Sequence, residues 1–167
     1  MFIHGGGNAP MAFPKSVRLQ RAIHVSKPIF TSAADAEAAF YDALARADLD
    51  AMMSVWSEDD EVVCIHPDSP RLVGLAAIRE AWRQLFAGGI RLQVHTSHRV
   101  VSANMLLTVH NVIEHVAMAG DDRLHPPMVA TNVYARGASG WKLVMHHASP
   151  TPEIQHMGGQ DAPRIVH

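Results

Sequence analysis

At Gly88-Gly89 the apolar pattern of this chain changes period, and no other feature constrains its fold as tightly. Before that point hydrophobic residues recur at about 3.6-residue spacing, and after it they alternate at about 2. The first period is that of amphipathic helices and the second that of strands with one buried face. A chain of helices followed by strands close in sequence is an α+β domain whose strands pair mainly with their neighbours as an antiparallel sheet.

Three helices are expected. Ser32, with Asp35 three residues on, reads as a capping box, and Ala36, Phe40 and Leu44 form a stripe behind it. Asp48 can cap a second helix, whose buried face would be Leu49, Met52, Met53 and Trp56. The acidic run from Glu58 to Glu61 ends it as a solvated corner. The β-rich run Val62 to His66 is stopped by Pro67, and Pro67 to Gly74 reads as a loop. A third helix carries Ile78, Trp82 and Phe86 on one side, with Gly88-Gly89 past its end. Strands are expected over roughly 90–100, 104–118, 127–136 and 141–149, separated by turn-forming runs. Such a sheet, cone-like and curved, would wrap around the three N-terminal helices and enclose a pocket.

Composition narrows the functional classes. The 167 residues suit one domain, by the prior of about 100–200 residues each. A formal net charge of −2 provides no field for nucleic acid or an anionic membrane, and no apolar run approaches the roughly 18 residues of a membrane span. Neither partner is expected. Residues 1–30 are basic, with Lys15, Arg18, Arg21 and Lys27 and no acid, and read as a loosely ordered extension lacking a signal-peptide apolar core. The domain is expected over 31–150 and a tail over 151–167. Cys64 is the only cysteine, which rules out an intrachain disulfide and fits a cytoplasmic setting.

The chain has 12 histidines, so metal binding must be weighed. His110 and Glu114 share a strand face but stand four residues apart, roughly 13 Å, too far to chelate one ion. His146 and His147 point to opposite faces, as do His95 and His98. No helical H-x-x-x-H or similar spacing occurs, so no metal and no cofactor is expected. A cross-strand set of His66, His146 and either His110 or Glu114 stays open.

Three strings, in order and spacing, resemble the nuclear-transport-factor-2-like superfamily in its SnoaL-like, ketosteroid-isomerase-like branch. The first runs from Ala47-Asp-Leu-Asp through Trp56 to Asp60. The second is Val63-Cys-Ile-His-Pro67 leading to Leu72-Val-Gly74 and Ile78. The third is Thr131-Asn-Val-Tyr134 with Gly140 to Ser149. Together they cover about residues 31–150. The resemblance implies the fold above, but that fold hosts isomerases, cyclases, dehydratases and non-catalytic binders. In the isomerases the general base is an Asp before a Pro; the matching residue is His66. Their Tyr donor maps near Phe40, with Tyr41 about 100° round the helix. Their protonated Asp maps near Val129, so both donor positions read as lost, and steroid isomerisation by that route is not expected.

The resemblance also orients the strands. It turns His110 and Glu114 inward with Thr108 and Val112, although a one-residue slip would reverse the face. A Glu among Val and Ile is costly unless paired or protonated, which singles out Glu114 against its alternative as a solvated charge. The same alignment favours His146 over His147 for the pocket. His66 is either a general base or a strand-end histidine holding the loop. Asn132 either orients a ligand carbonyl or satisfies backbone. The expected site is thus His66 and Glu114 as catalytic groups, with His110, His146, Asn132 and Val129 contacting ligand. A small molecule is the expected partner, acid–base chemistry on an apolar carbonyl compound being one use of it. The alternative is a non-catalytic module that dimerises through the outer sheet face of Leu107, Val109 and Ile113.

Overall fold

The computed structural model describes residues 28–89, 91–118, 120 and 125–151. The basic extension up to residue 27 and the tail from residue 152 lie outside the described residues. Three helices, α1 (Ala33–Arg46), α2 (Leu49–Val55) and α3 (Leu75–Ala87), pack on one face of a curved sheet. The sheet contains β1 (Val63–Ile65), β2 (Leu72–Val73), β3 (Leu92–Ala103), β4 (Leu107–Met118), β5 (Met128–Gly137) and β6 (Gly140–Pro150). Their order is β2-β1-β6-β5-β4-β3. The long strands form the expected antiparallel meander. Among the described residues no helix is long and apolar enough to cross a membrane.

The caps follow the sequence signals. Ser32 Oγ accepts from the Asp35 amide at 3.0 Å while Asp35 Oδ2 accepts from the Ser32 amide at 3.0 Å. Two otherwise unpaired donors of the helix start are thereby satisfied reciprocally. Asp48 Oδ1 accepts from the Ala51 amide at 2.9 Å and starts α2. The helical stripes meet over the sheet in a core that includes Phe40, Met52, Trp56, Ile78, Trp82 and Leu143. Fully burying a large aliphatic or aromatic side chain contributes about 1.5–3 kcal/mol.

Two features depart from the expected layout. The segment read as a loop from Pro67 to Gly74 contains β2, which pairs antiparallel with Val63 and Cys64. In addition, β1 joins the meander in parallel with β6, so the sheet is mixed. The parallel pairing sets Cys64 opposite His146, and His66, two residues on, carries its ring back along the same face.

Candidate functional site

Alternation on β4 buries Thr108, His110, Val112 and Glu114, the inward set that the family resemblance implied. On β5 the buried set is Ala130, Asn132 and Tyr134. Val129, expected to contact ligand, therefore faces away: it pairs with Ile113 and Ser149 on the outer surface of the sheet. Val129 and Asn132 are three residues apart, and a strand of period two cannot aim both inward. On β6, His146 and Ala148 point in and His147 is only partly buried.

A cavity of about 320 Å³ lies between this inner face, α1 and α3. It falls at the lower end of the range typical of small-molecule pockets, about 300–1,000 Å³. Phe40, Leu44, Trp82, Val94 and Met128 supply much of its apolar wall. Three of the expected residues, His66, Glu114 and His146, line it. Asn132 and His110 do not; both are buried behind the lining.

Asn132 holds the lining in place. Tyr41 Oη donates to Glu114 Oε1 at 2.7 Å, and Asn132 Nδ2 donates to Tyr41 Oη at 3.1 Å. Asn132 Oδ1 in turn stands 2.7 Å from His146 Nδ1. Tyr41, set aside because it lies one residue from the family's Tyr position, is thus at the centre of the site. Its ring leans edge-on against Phe40, and the long phenol reaches the sheet despite the 100° offset expected of it. Burial and then the neighbouring Glu114 charge raise the Tyr41 hydroxyl far above its usual range, so it stays protonated and donates. Burial raises the Glu114 carboxyl, Tyr41 lowers it and Glu37 raises it.

The imidazoles are shifted the other way. Burial first, then His66 and His147, lowers His146 to about 3. Burial lowers His66 too, leaving it a neutral base. The His66 ring stands edge-on to Trp82 at 4.5 Å, and its Nε2 is 3.3 Å from Cys64 Sγ. Burial pushes that thiol up to about 12, so Cys64 is a protonated packing group and not a nucleophile.

A second polar cluster adjoins the first, one turn back on α1. Glu37, spaced i, i+4 from Tyr41, is buried and takes Arg99 Nη1 at 3.0 Å. His110 Nδ1 is also 3.0 Å from Glu37 Oε2, but off the line a hydrogen bond needs. Neither Glu37 nor Arg99 stood out in the sequence. Arg99 reaches inward because β3 carries a bulge between Ser97 and Val100, where His98 adopts φ +49°. Two residues there face one on β4, which shifts the alternation by one. Among the described residues no group of three or more His, Cys, Asp or Glu side chains could hold a metal ion.

Comparison with known proteins fits this geometry. The family model for the SnoaL-like domain matches residues 34–153. A Thiobacillus denitrificans protein described as a calcium/calmodulin-dependent protein kinase type II association domain is 40% identical, with TM-score 0.67, over 75% of this chain and 99% of that one. A Streptomyces avermitilis protein described as a dehydratase of the NTF2-like family is 31% identical, with TM-score 0.63, over 70% of this chain and 91% of its own. A Parabacteroides distasonis protein described as a ketosteroid isomerase shares the fold at 19% identity and TM-score 0.58, over 71% and 87% of the two chains. No curated protein matches. With its helix caps, its mixed sheet and a family match spanning most of the described residues, this chain belongs to the SnoaL-like domain family.

Proposed function

We propose that this chain binds a small, largely apolar carbonyl compound in the cavity and carries out acid–base chemistry on it, of isomerase, cyclase or hydro-lyase type. The observation that carries this reading is the convergence of Glu114, His66 and His146 on a pocket whose remaining wall is mostly apolar. Burial makes Glu114 a stronger base than an ordinary carboxylate and keeps His66 uncharged, the condition in which an imidazole accepts a proton. Glu114 and His66 are the two proton-transfer groups, His146 contacts the ligand, and Asn132 and His110 support from behind. The dehydratase description of the Streptomyces avermitilis relative supports this class. The setting proposed is cytoplasmic, consistent with a single unpaired cysteine. The test is a panel of cyclic ketones and hydroxy-ketones, screened by quenching of tryptophan fluorescence and then by turnover. Glu114→Gln and His66→Asn should each abolish turnover while the fold is retained. Full binding and turnover in both variants would sink the proposal.

One observation favours a second use of the same fold. The relative at 40% identity is described as an association domain. The outer face here carries Leu107, Val109, Ile113 and Val129, none of them fully buried. We propose homodimerisation through that face, checked by sedimentation equilibrium on the chain and on Ile113→Arg. A monomeric parent chain would rule it out.

A further inference from the structure

We infer that the Glu114–His146 wall of the cavity selects its ligand by receiving hydrogen bonds, so that the end of the ligand lying there carries a hydroxyl and not a carbonyl. The inference rests on reading the cavity as a ligand pocket and adds the polarity of one wall.

It follows from counting protons along the buried chain. Tyr41 has one hydroxyl hydrogen, and it goes to Glu114 Oε1. Asn132 turns its amide nitrogen to Tyr41 Oη, so the side facing His146 is the carbonyl oxygen. A 2.7 Å contact to that oxygen requires the hydrogen of His146 to sit on Nδ1. Because burial keeps this imidazole neutral, Nε2 is left with a bare lone pair. The second Glu114 oxygen makes no hydrogen bond among the described residues. The one donor hydrogen of Tyr41 and the one of His146 are therefore both directed along the chain, and what faces the cavity from the Glu114 carboxylate and His146 is acceptor. Of the nearby groups, the one N–H of neutral His66 belongs to a ring 6.2 Å from that of His146, and neither Ser69 nor Trp82 restores a donor on this wall. Ser69 Oγ gives its hydrogen to Pro67 O at 3.3 Å, and Trp82 Nε1 is buried out of reach of solvent.

A ligand carbonyl placed there would set lone pairs against lone pairs in a poorly solvated space. A ligand hydroxyl would satisfy one of them, with charge assistance at the carboxylate. Tyr41 is the positioning residue, because it fixes the direction of both halves. Protonation of Glu114 on its second oxygen would by itself turn that half of the wall into a donor, while the His146 half reverses only if the Asn132 amide turns over and the His146 hydrogen moves to Nε2. Selection is thus set jointly by the ionised carboxylate and by the orientation of Asn132.

The experiment compares two rigid probes of one skeleton, decalin alcohol and decalone, titrated against the full chain near neutral pH by tryptophan fluorescence. The alcohol should bind at least about tenfold more tightly, the scale of discrimination expected when a polar site is left unpaired. In Tyr41→Phe, which keeps the ring, the ratio should fall to within about twofold, since Asn132 then loses the contact that fixes which end of its amide faces His146. Nitrogen-15 shifts of labelled histidine should show the His146 hydrogen on Nδ1 in the parent chain and lose that assignment in Tyr41→Phe. A ketone that binds as well as the alcohol, or better, overturns the inference and leaves the pocket reading standing. An unchanged ratio in Tyr41→Phe overturns it equally. If neither probe binds, the pocket reading fails and takes this inference with it.

Discussion

Asn132 and His146 sit directly opposite one another on β5 and β6, with Oδ1 2.7 Å from Nδ1. Both side chains are buried, so the pair is a hydrogen bond between neutral groups; a second proton on Nε2 would leave that bond in place but set a charge where burial disfavours it.

That penalty gives the fold an acid limit. The His146 value in the fold, about 3, lies below the ordinary 6.5, so its contribution is complete above about 6.5 and is lost as pH falls toward about 3. In urea titrations between those limits the chain should lose on the order of a few kcal/mol through this group. His146→Gln, less stable at neutral pH, should show a shallower acid limb. Parallel limbs for the two proteins would refute the assignment.

Glu114 has the opposite sign. Burial raises its carboxyl above 4.5, so its contribution is complete below that value and is lost as pH rises through the folded value. Glu114→Gln retains an oxygen for Tyr41 and removes the buried charge. It should therefore be more stable than the parent chain at alkaline pH, with the difference vanishing toward pH about 4. Thermal melts across that range measure this directly.

Arg99 guards a different charge. Removing it with Arg99→Ala leaves Glu37 buried without its cation, a loss of about 1–3 kcal/mol by urea unfolding. Adding Glu37→Gln should recover most of that loss, because the uncompensated charge is then gone. A double variant no more stable than Arg99→Ala alone would count against this account.

Gly140 opens β6 at φ +85°, and a Cβ there would come within 2.5 Å of the Phe30 carbonyl. That carbonyl already accepts from the Trp141 amide at 2.9 Å, so the backbone has little freedom to retreat. Gly140→Ala should cost on the order of 1–3 kcal/mol. An unchanged melting temperature would show that the start of β6 can shift.

What the sequence disclosed, and what it hid, follows the range of the forces involved. The capping box at Ser32 and the alternation of β4 are local or periodic, and both are where the pattern put them, with the inward face of β4 the one the resemblance implied. The three cavity-lining residues among those expected came from the family resemblance, which placed His66 before Pro67 and chose the inward face of β4 and β6 that alternation alone left open. Val129 failed by a rule already available, since its parity conflicts with that of Asn132. Arg99 could not be found that way, because the bulge at His98 and Arg99 resets the alternation without a glycine to mark it. Tyr41 and Glu37 were hidden for another reason. Both are polar residues on the margin of an apolar stripe, where pattern alone predicts solvent, and only the sheet reveals their partners. The β1–β6 pairing spans three residues on each side and carries no local signal.

That last pairing also orders events in time. Among the described residues β1 is the first strand, and its parallel neighbour is the last. During synthesis His66 and Cys64 emerge long before His146, so their side of the pocket has the β2 hairpin and the Trp82 ring of α3 beside it, but not β6, until the last strand has been made. Closing so long a loop raises the contact order and slows folding. The last strand to be synthesised among those described is thus the one that completes the site, and a chain that stalls before Gly140 would present the unpaired edge of β1 to its surroundings.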